Sequence, residues 1–408
     1  MLKQRMGLIA IGFFSVSQVA MANGQEQSKG FIEDGDSNII IRNSYIGRDY
    51  KNGKQDKVTW GQSFTSKYES GFTQGTVGVG VDITGQYAIR LNSGTGSSGE
   101  AAYDLARGSV AAKARISGTI IKYGQQIPNV PVLQYDNSRL LSEIYEGTSI
   151  VSKEIAGLQL DASHLTKKEA CRGARGSDSG RAETYLKNID YIGGSYKFTE
   201  GLSAALYVSN MQDMLKKQYI NVKYMLALPK KQSLTFNFNG YNTKLDRSFA
   251  IEKHGNADAR DNKIWSLSAT WAIGPHSFTV VHQRSNGDIG SIGDAPLLAN
   301  SYWSDFNSKD ERSWQAGYGL NFSVFGMPEL TYSVAYVHGS NIDDGSNRGN
   351  GTELEIFNQF RYVIRNGPAK DITLRARASW LRVSSNVSNY NVSGNEIRLF
   401  ADYPINLF

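Results

Sequence analysis

Asp371-Ile372-Thr373-Leu374-Arg375-Ala376-Arg377-Ala378-Ser379-Trp380 alternates between polar and apolar side chains over its whole length. Successive side chains of a strand point to opposite faces, so Ile372, Leu374, Ala376, Ala378 and Trp380 share one face. Asp371, Thr373, Arg375, Arg377 and Ser379 share the other. Two architectures accept such a strand. In a soluble sandwich the arginines face solvent and the apolar row packs inward. In a membrane barrel the polarity is inverted: the apolar row meets lipid, and the arginines face a water-filled lumen.

The flanking sequence repeats the pattern. Leu354, Ile356, Phe360, Tyr362 and Ile364 alternate with Glu353, Glu355, Gln359, Arg361 and Arg365; Ile397, Leu399, Ala401 and Tyr403 close the chain. Near the start, Ile39, Ile41 and Tyr45 oppose Arg42, Ser44 and Arg48. Between these ends further alternating runs include Leu202–Ser209, Ile220–Leu226, Leu234–Asn239 and Trp314–Val324. The connections alternate too. Short turns, as at Thr199-Glu200 and Gly274-Pro275, interleave with long polar loops near 124–146, 165–189, 244–261, 285–311, 339–351 and 383–394. Long loops at one rim and short turns at the other are the asymmetry of a transmembrane barrel, and a soluble β-protein has no reason for it. Nine long and eight short connections predict about 18 strands, an even number as an antiparallel bacterial barrel needs. Trp265, Trp271 and Trp314 near strand ends fit interfacial girdles. Gly78 and Gly80 on the polar face of the run Val77–Thr84 leave room for something folded against it.

Composition agrees with a barrel. The chain has 408 residues, 40% hydrophobic, with a mean hydropathy of −0.39, too polar for a helical membrane protein. Residues 1–22 begin with Lys3 and Arg5, continue through the apolar run Gly7–Phe14 and end Ala20-Met21-Ala22, which reads as a secretory signal peptide cut before Asn23. A retained anchor is the alternative, for which the run is short. The expected mature chain, 23–408, is a single barrel domain. Cys171 is the one cysteine, so no intramolecular disulfide forms. The formal charge of +6 becomes +4 without Lys3 and Arg5, and no cluster is dense enough to track nucleic acid.

With the apolar faces assigned to lipid, parity sends Arg42, Arg48, Lys113, Arg115, Lys223, Arg361, Arg375, Arg377 and Arg398 to the lumen. Arg361, Arg375 and Arg398 lie on successive strands, and closure brings Arg42 and Arg48 beside the last one. Such a ladder suits a carboxylate passed between guanidinium groups that each hold it weakly enough to release it. The bland alternative is that the arginines only balance acids such as Asp82, Glu353, Glu355, Asp371 and Asp402. Catalytic signals are weak. The five histidines, His164, His254, His276, His282 and His338, show no metal-ligand spacing. Asp178-Ser179-Gly180 lacks the full hydrolase elbow. For a barrel hydrolase the nearest constellation is Asp161, Ser163 and His164, with His164 on the opposite face. The loop around Asp343-Asp344 suits solvent better than a divalent ion. The reading is a passive, carboxylate-selective channel without enzyme activity or cofactor, with an unselective porin and a barrel hydrolase as alternatives.

Several stretches resemble the OprD-type, or Occ, family of substrate-specific outer-membrane porins of bacteria. They are Phe31–Asp34 with Arg42-Asn43 and Arg48-Asp49; Ser70-Gly71-Phe72-Thr73-Gln74-Gly75 through Asp82; Lys113–Ser117; Asp136–Leu141; Tyr302–Phe306 with Glu311–Gln315; and Asp402-Tyr403-Pro404-Ile405-Asn406. They follow the family's order across nearly the whole mature chain. The resemblance implies an 18-stranded pore, a monomer or loose homotrimer set among outer-membrane lipid and lipopolysaccharide. It implies passage of small carboxylate-bearing solutes: amino acids, organic acids and carbapenem-type antibiotics. It also implies that the loops around 124–146 and 285–311 fold into the lumen. Arg42, Arg361, Arg375, Arg377 and Arg398 then match the family's basic ladder, and Arg139, Ser304 and Asp305 lie near the constriction, where Asp305 takes a cationic end. Pro404 and Asn406 break the alternation, so a kink or bulge is expected there. The loop Thr166–Arg181 does not align, which leaves the particular substrate open.

Overall fold

The structure, a computed structural model, describes residues 24–407 apart from 52, 93–104, 135–139, 170–187, 291–300, 346–349 and 388–391. The expected signal peptide, Arg139, Cys171 and the Asp178-Ser179-Gly180 tract lie outside the described residues. The strands are β1 (Asp36–Tyr50), β2 (Lys57–Glu69), β3 (Val77–Arg90), β4 (Leu105–Ile116), β5 (Thr119–Gln126), β6 (Asn129–Val130), β7 (Leu133–Gln134), β8 (Ile144–Ser152), β9 (Leu158–Glu169) and β10 (Ile189–Lys197). They continue with β11 (Leu202–Met211), β12 (Leu215–Leu228), β13 (Gln232–Leu245), β14 (Asp261–Ile273), β15 (His276–Gly287), β16 (Arg312–Asn321), β17 (Leu330–Ile342), β18 (Gly351–Val363), β19 (Thr373–Val383) and β20 (Gly394–Asn406).

Eighteen of these form one sheet, and β6 with β7 forms a separate small hairpin. Each barrel strand pairs antiparallel with its neighbours in the chain, β5 with β8 across the hairpin, and β20 returns to β1 from Asn38↔Asn406 to Tyr50↔Gly394. The sheet is closed. No described helix is long and apolar enough to cross a membrane, whereas a closed barrel satisfies its backbone without water.

The polarity of the two faces decides between the two architectures. Leu206, Ile192 and Val110 point outward and are more than half exposed, while Ser285, Gln283 and Glu355 point inward and are fully buried. A soluble protein would reverse these positions. The outward face is the lipid face, and the rim with short turns is the periplasmic one.

Among the described residues, three chain segments enter the lumen. Near the short-turn rim, the residues before β1 pack against the β2–β3 turn. Gln25 donates through its side-chain amide to the Thr73 and Gly75 carbonyls (2.7 and 3.1 Å), and Ser28 Oγ donates to the Phe72 carbonyl (2.6 Å). Gly78 and Gly80 make the space: a Cβ on Gly80 would stand 2.7 Å from both the Gly71 carbonyl oxygen and Ser70 Oγ, and one on Gly78 2.3 Å from the Gln25 side chain. At mid-wall, Val130, Val132 and Leu133 of the β6–β7 hairpin pack against inward tyrosines including Tyr191, Tyr207, Tyr219 and Tyr241. Farther round the wall, Phe306 of the β15–β16 loop is buried against Ala335, Val337 and Phe357. That loop is tied to the next one by Lys309 Nζ to Asp343 Oδ2 at 2.8 Å.

Two local expectations are corrected. β20 runs through Pro404 with unbroken register against β1, without kink or bulge, because pairing with β19 ends at Asp402. Beyond Asp402 only β1 adjoins the strand, and the N–H that proline lacks has no second partner to serve. Phe322 and Val324 do not extend β16. The strand stops at Asn321, whose side-chain oxygen accepts from the Ser323 N–H (2.8 Å), and a 3-10 turn follows over Phe322–Phe325, closed by Gly326 at φ 75°.

Gly80→Val should lower barrel stability by about 1–3 kcal/mol through overpacking against backbone, read as a lower midpoint in heat-dependent gel mobility. The Lys309 N–H holds the Asp343 carboxyl below its ordinary value, and Asp343 in turn raises the Lys309 ammonium. The tie is therefore fully formed above the ordinary aspartate range near ~3.9 and is lost as pH falls through the lower folded value. Asp343→Asn should speed proteolysis between β17 and β18 at neutral pH while leaving the barrel's melting unchanged.

Candidate functional site

Four adjacent strands, β18, β19, β20 and β1, present an inward wall of arginines. Register places Arg361 directly opposite Arg375, and Arg377 directly opposite Arg398. Like charges facing one another across strands cost stability, so something of opposite sign must stand near them. Asp402 lies opposite Arg42, and Glu396 opposite Arg48.

Each of these acids is shared. Asp402 Oδ1 accepts from Arg42 Nε and Oδ2 from a terminal nitrogen of Arg375, both at 2.6 Å. Glu396 accepts from Arg48 and Arg398 in the same manner. Phe400 lies between two guanidinium groups, 4.5 Å from that of Arg375 and 5.4 Å from that of Arg377. Such stacking keeps the cations spaced and flat against the wall. Arg377 Nε also donates to Gln359 Oε1 (2.7 Å).

The loop entering from β15 divides the wall in two. Tyr302 lies 4.3 Å under the Arg377 guanidinium, Trp303 lies 4.7 Å under that of Arg48, and the Tyr302 carbonyl accepts from Arg398. Arg398 is only 4% exposed, so it is bound up with loop and acid. Towards the periplasm, Arg42 and Arg375 are 21% and 17% exposed, and Arg361 is exposed. Among the described residues those three are open to a solute in the lumen, and so is Arg48, 22% exposed beside the loop.

Buried acids hold the loop itself. Glu355 accepts from the N–H groups of Trp303 (3.2 Å) and Ser304 (2.9 Å), and Glu353 accepts from Ser304 Oγ (2.7 Å). Ser304, expected at the constriction, is 1% exposed, with its hydroxyl turned to the wall. Asp305 is exposed, while its carbonyl and that of Phe306 accept from Gln283.

Lys113 and Arg115 stand apart from the other cations. They lie on β4, three strands beyond β1 and so about 14 Å round the wall. Lys113 pairs with Asp82 (2.6 Å), to which Lys122 also bonds. Lys113 and Arg115 stack on Phe72 at 4.9 and 4.3 Å, and Arg115 donates to Gln25 (2.9 Å). Their contacts fix the N-terminal segment inside the barrel. Parity had given their face but not their place round the circumference. Sequence reasoning passed over Glu396, Phe400, Tyr302 and Trp303. Phe400 left a trace, a lone aromatic on the same parity as Glu396, Arg398 and Asp402.

The hydrolase constellation is split by the wall. His164 Nδ1 bonds Asp190 Oδ1 (2.6 Å) on the lipid side, while Asp161 is buried inside and accepts from Tyr207 (2.6 Å).

A model of the "outer membrane porin, OprD family" matches residues 29–407. Porin D of Pseudomonas aeruginosa is 37% identical over 95% of this chain and 94% of its own. Among solved structures, OccAB1 of Acinetobacter baumannii superposes with a TM-score of 0.86 at 32% identity, over 94% of this chain and 99% of that one. Pseudomonas aeruginosa OpdK, crystallised with vanillate, gives 0.81 at 29% identity, over 92% of this chain and 100% of that one. The closed barrel and the loops within it are thus shared with named porins, and the chain belongs to the OprD family of bacterial outer-membrane porins.

Proposed function

We propose that the protein passes small carboxylate-bearing solutes down the arginine wall, amino acids and organic acids among them and carbapenem-type antibiotics where size allows. The observation that carries this reading is the imbalance on the four strands: of six inward arginines, Arg42 and Arg375 share Asp402 and Arg48 and Arg398 share Glu396, the carboxylates of Glu353 and Glu355 are taken up by the β15–β16 loop, and Arg361 faces Arg375 with no acid between them in register. A solute carboxylate supplies the missing negative charge. Its planar oxygens suit the guanidinium fork, and a chain of such contacts lets it step from one to the next.

Each Arg has an assigned part in this scheme. Arg361, Arg375 and Arg42 receive the solute on the periplasmic side of the narrowing. Arg48, Arg377 and Arg398 brace Tyr302 and Trp303, and so set the width. Asp305, exposed on the same loop, attracts an ammonium end when the solute has one. Lys113 and Arg115 are left out of the path, since they hold the N-terminal segment in place. The vanillate bound to OpdK is an aromatic carboxylate, which supports the same substrate class here. The preformed lumen needs no cofactor for passive passage.

Two changes of opposite sign test the scheme in a planar bilayer. Arg375→Ala with Arg377→Ala should shift the reversal potential towards cations and weaken block of the current by a small carboxylate roughly tenfold, the scale of one lost charged hydrogen bond. Asp402→Asn should move the reversal potential towards anions, since it releases Arg42 and Arg375 from their shared acid. Parental selectivity in both variants would overturn the proposal and leave an unselective porin.

A further inference from the structure

Five cations point away from the lumen at the loop ends of five consecutive strands. They are Lys216 on β12, Lys244 on β13, Lys263 on β14, Arg284 on β15 and Arg312 on β16, all on the outward parity. Lys216 stands directly opposite Lys244, and Arg284 directly opposite Arg312. Like charges placed so destabilise a sheet. The outward positions at these strand ends supply one acid, Asp261, whose carboxylate lies 3.9 Å from Lys244 Nζ. Arg284 Nε bonds to Asn286 (2.7 Å), a neutral partner that leaves its charge uncompensated.

Just inside this row lies an aromatic group on the same outward face. Trp265 pairs in register with Arg284, the His282 ring stacks on Trp314 at 4.3 Å, and Trp265 meets His282 edge-on at 5.4 Å. Amphipathic rings at strand ends mark the boundary between hydrocarbon and headgroups. The cations therefore sit at headgroup height, on the long-loop side. In a bacterial outer membrane that leaflet is made of phosphorylated glycolipid.

We propose that this patch is a binding site for lipopolysaccharide, with the phosphates of its lipid A held by the ammonium groups of Lys216, Lys244 and Lys263 and the guanidinium forks of Arg284 and Arg312. Arginine meets phosphate bidentately and lysine as a point charge. Held in this way, the lipid phosphates meet fixed protein cations where divalent ions otherwise bridge neighbouring lipids. The acyl chains then lie against Trp265, Trp314 and the apolar wall below.

The test uses the full-length protein purified in detergent with a chelator present. Lipid A and its chemically dephosphorylated form are offered in equal amounts, and the retained lipid is measured by native mass spectrometry. The expected result is at least tenfold greater retention of the phosphorylated form. Replacing all five cations with Gln should reduce that retention to the level of the dephosphorylated lipid, with single-channel conductance unchanged. Equal retention of the two lipids by the parent protein would overturn the proposal whether or not the variant folds, because acyl contacts would then account for binding. Undiminished retention by a variant of parental conductance would overturn it as well.

Discussion

Backbone N–H and C=O groups in a bilayer find no water, so the sheet must end where it began. The pairing of β20 with β1 meets that requirement, and its register does more than close the wall. It sets Arg42 against Asp402 and Arg48 against Glu396, joining residues 360 and 348 positions apart in sequence. A slip of one residue would turn every side chain of the last strand to its other face. The arginines of β1 would then meet apolar neighbours, and the acids would point into lipid. Fold closure and site chemistry therefore depend on the same ladder of hydrogen bonds.

The lumen shows how a polar interior is shaped without a hydrophobic core of the usual kind. Each inserted segment is fixed by a different chemistry. The N-terminal segment relies on backbone carbonyls and on the clearance at Gly78 and Gly80. The β6–β7 hairpin relies on apolar contacts with tyrosines, whose hydroxyls keep partners such as Asn239, 2.8 Å from Tyr219. The β15–β16 loop relies on buried Glu353 and Glu355, which accept hydrogen bonds from its backbone and Ser304. A buried carboxylate is expensive unless its lone pairs are satisfied, and here the loop supplies the donors. Loop and acids are mutually required.

Much of this was legible in the alternation of side chains. Strict parity through Ile372–Trp380 assigned lipid and lumen correctly, and counting connections gave the strand number. The glycines at 78 and 80 announced an inserted segment without naming it. Parity says nothing of position round the circumference, and for that reason Lys113 and Arg115 were grouped with cations three strands away. Nor does it reach the loops. Tyr302 and Trp303 follow no period, and their stacking on Arg377 and Arg48 arises only once the loop folds onto the wall. Pro404 misled for a related reason: its cost depends on whether a second strand adjoins it, which one strand's own sequence does not reveal.

The two shared carboxylates carry a consequence for biogenesis. Asp402 and Glu396 belong to the last strand; Arg375 and Arg398 meet them within the final hairpin, whereas Arg42 and Arg48 reach them only when that strand seats against β1. An open intermediate with its first and last strands apart thus separates Arg42 and Arg48 from the acids that bridge the seam. Seating the final hairpin makes both cross-seam ion pairs in one step, so their electrostatic gain comes with closure. Because the Arg42–Asp402 and Arg48–Glu396 contacts span almost the entire chain, they contribute to the native state and nothing to its early precursors. The protein becomes a channel for its solute at the moment it becomes a finished barrel.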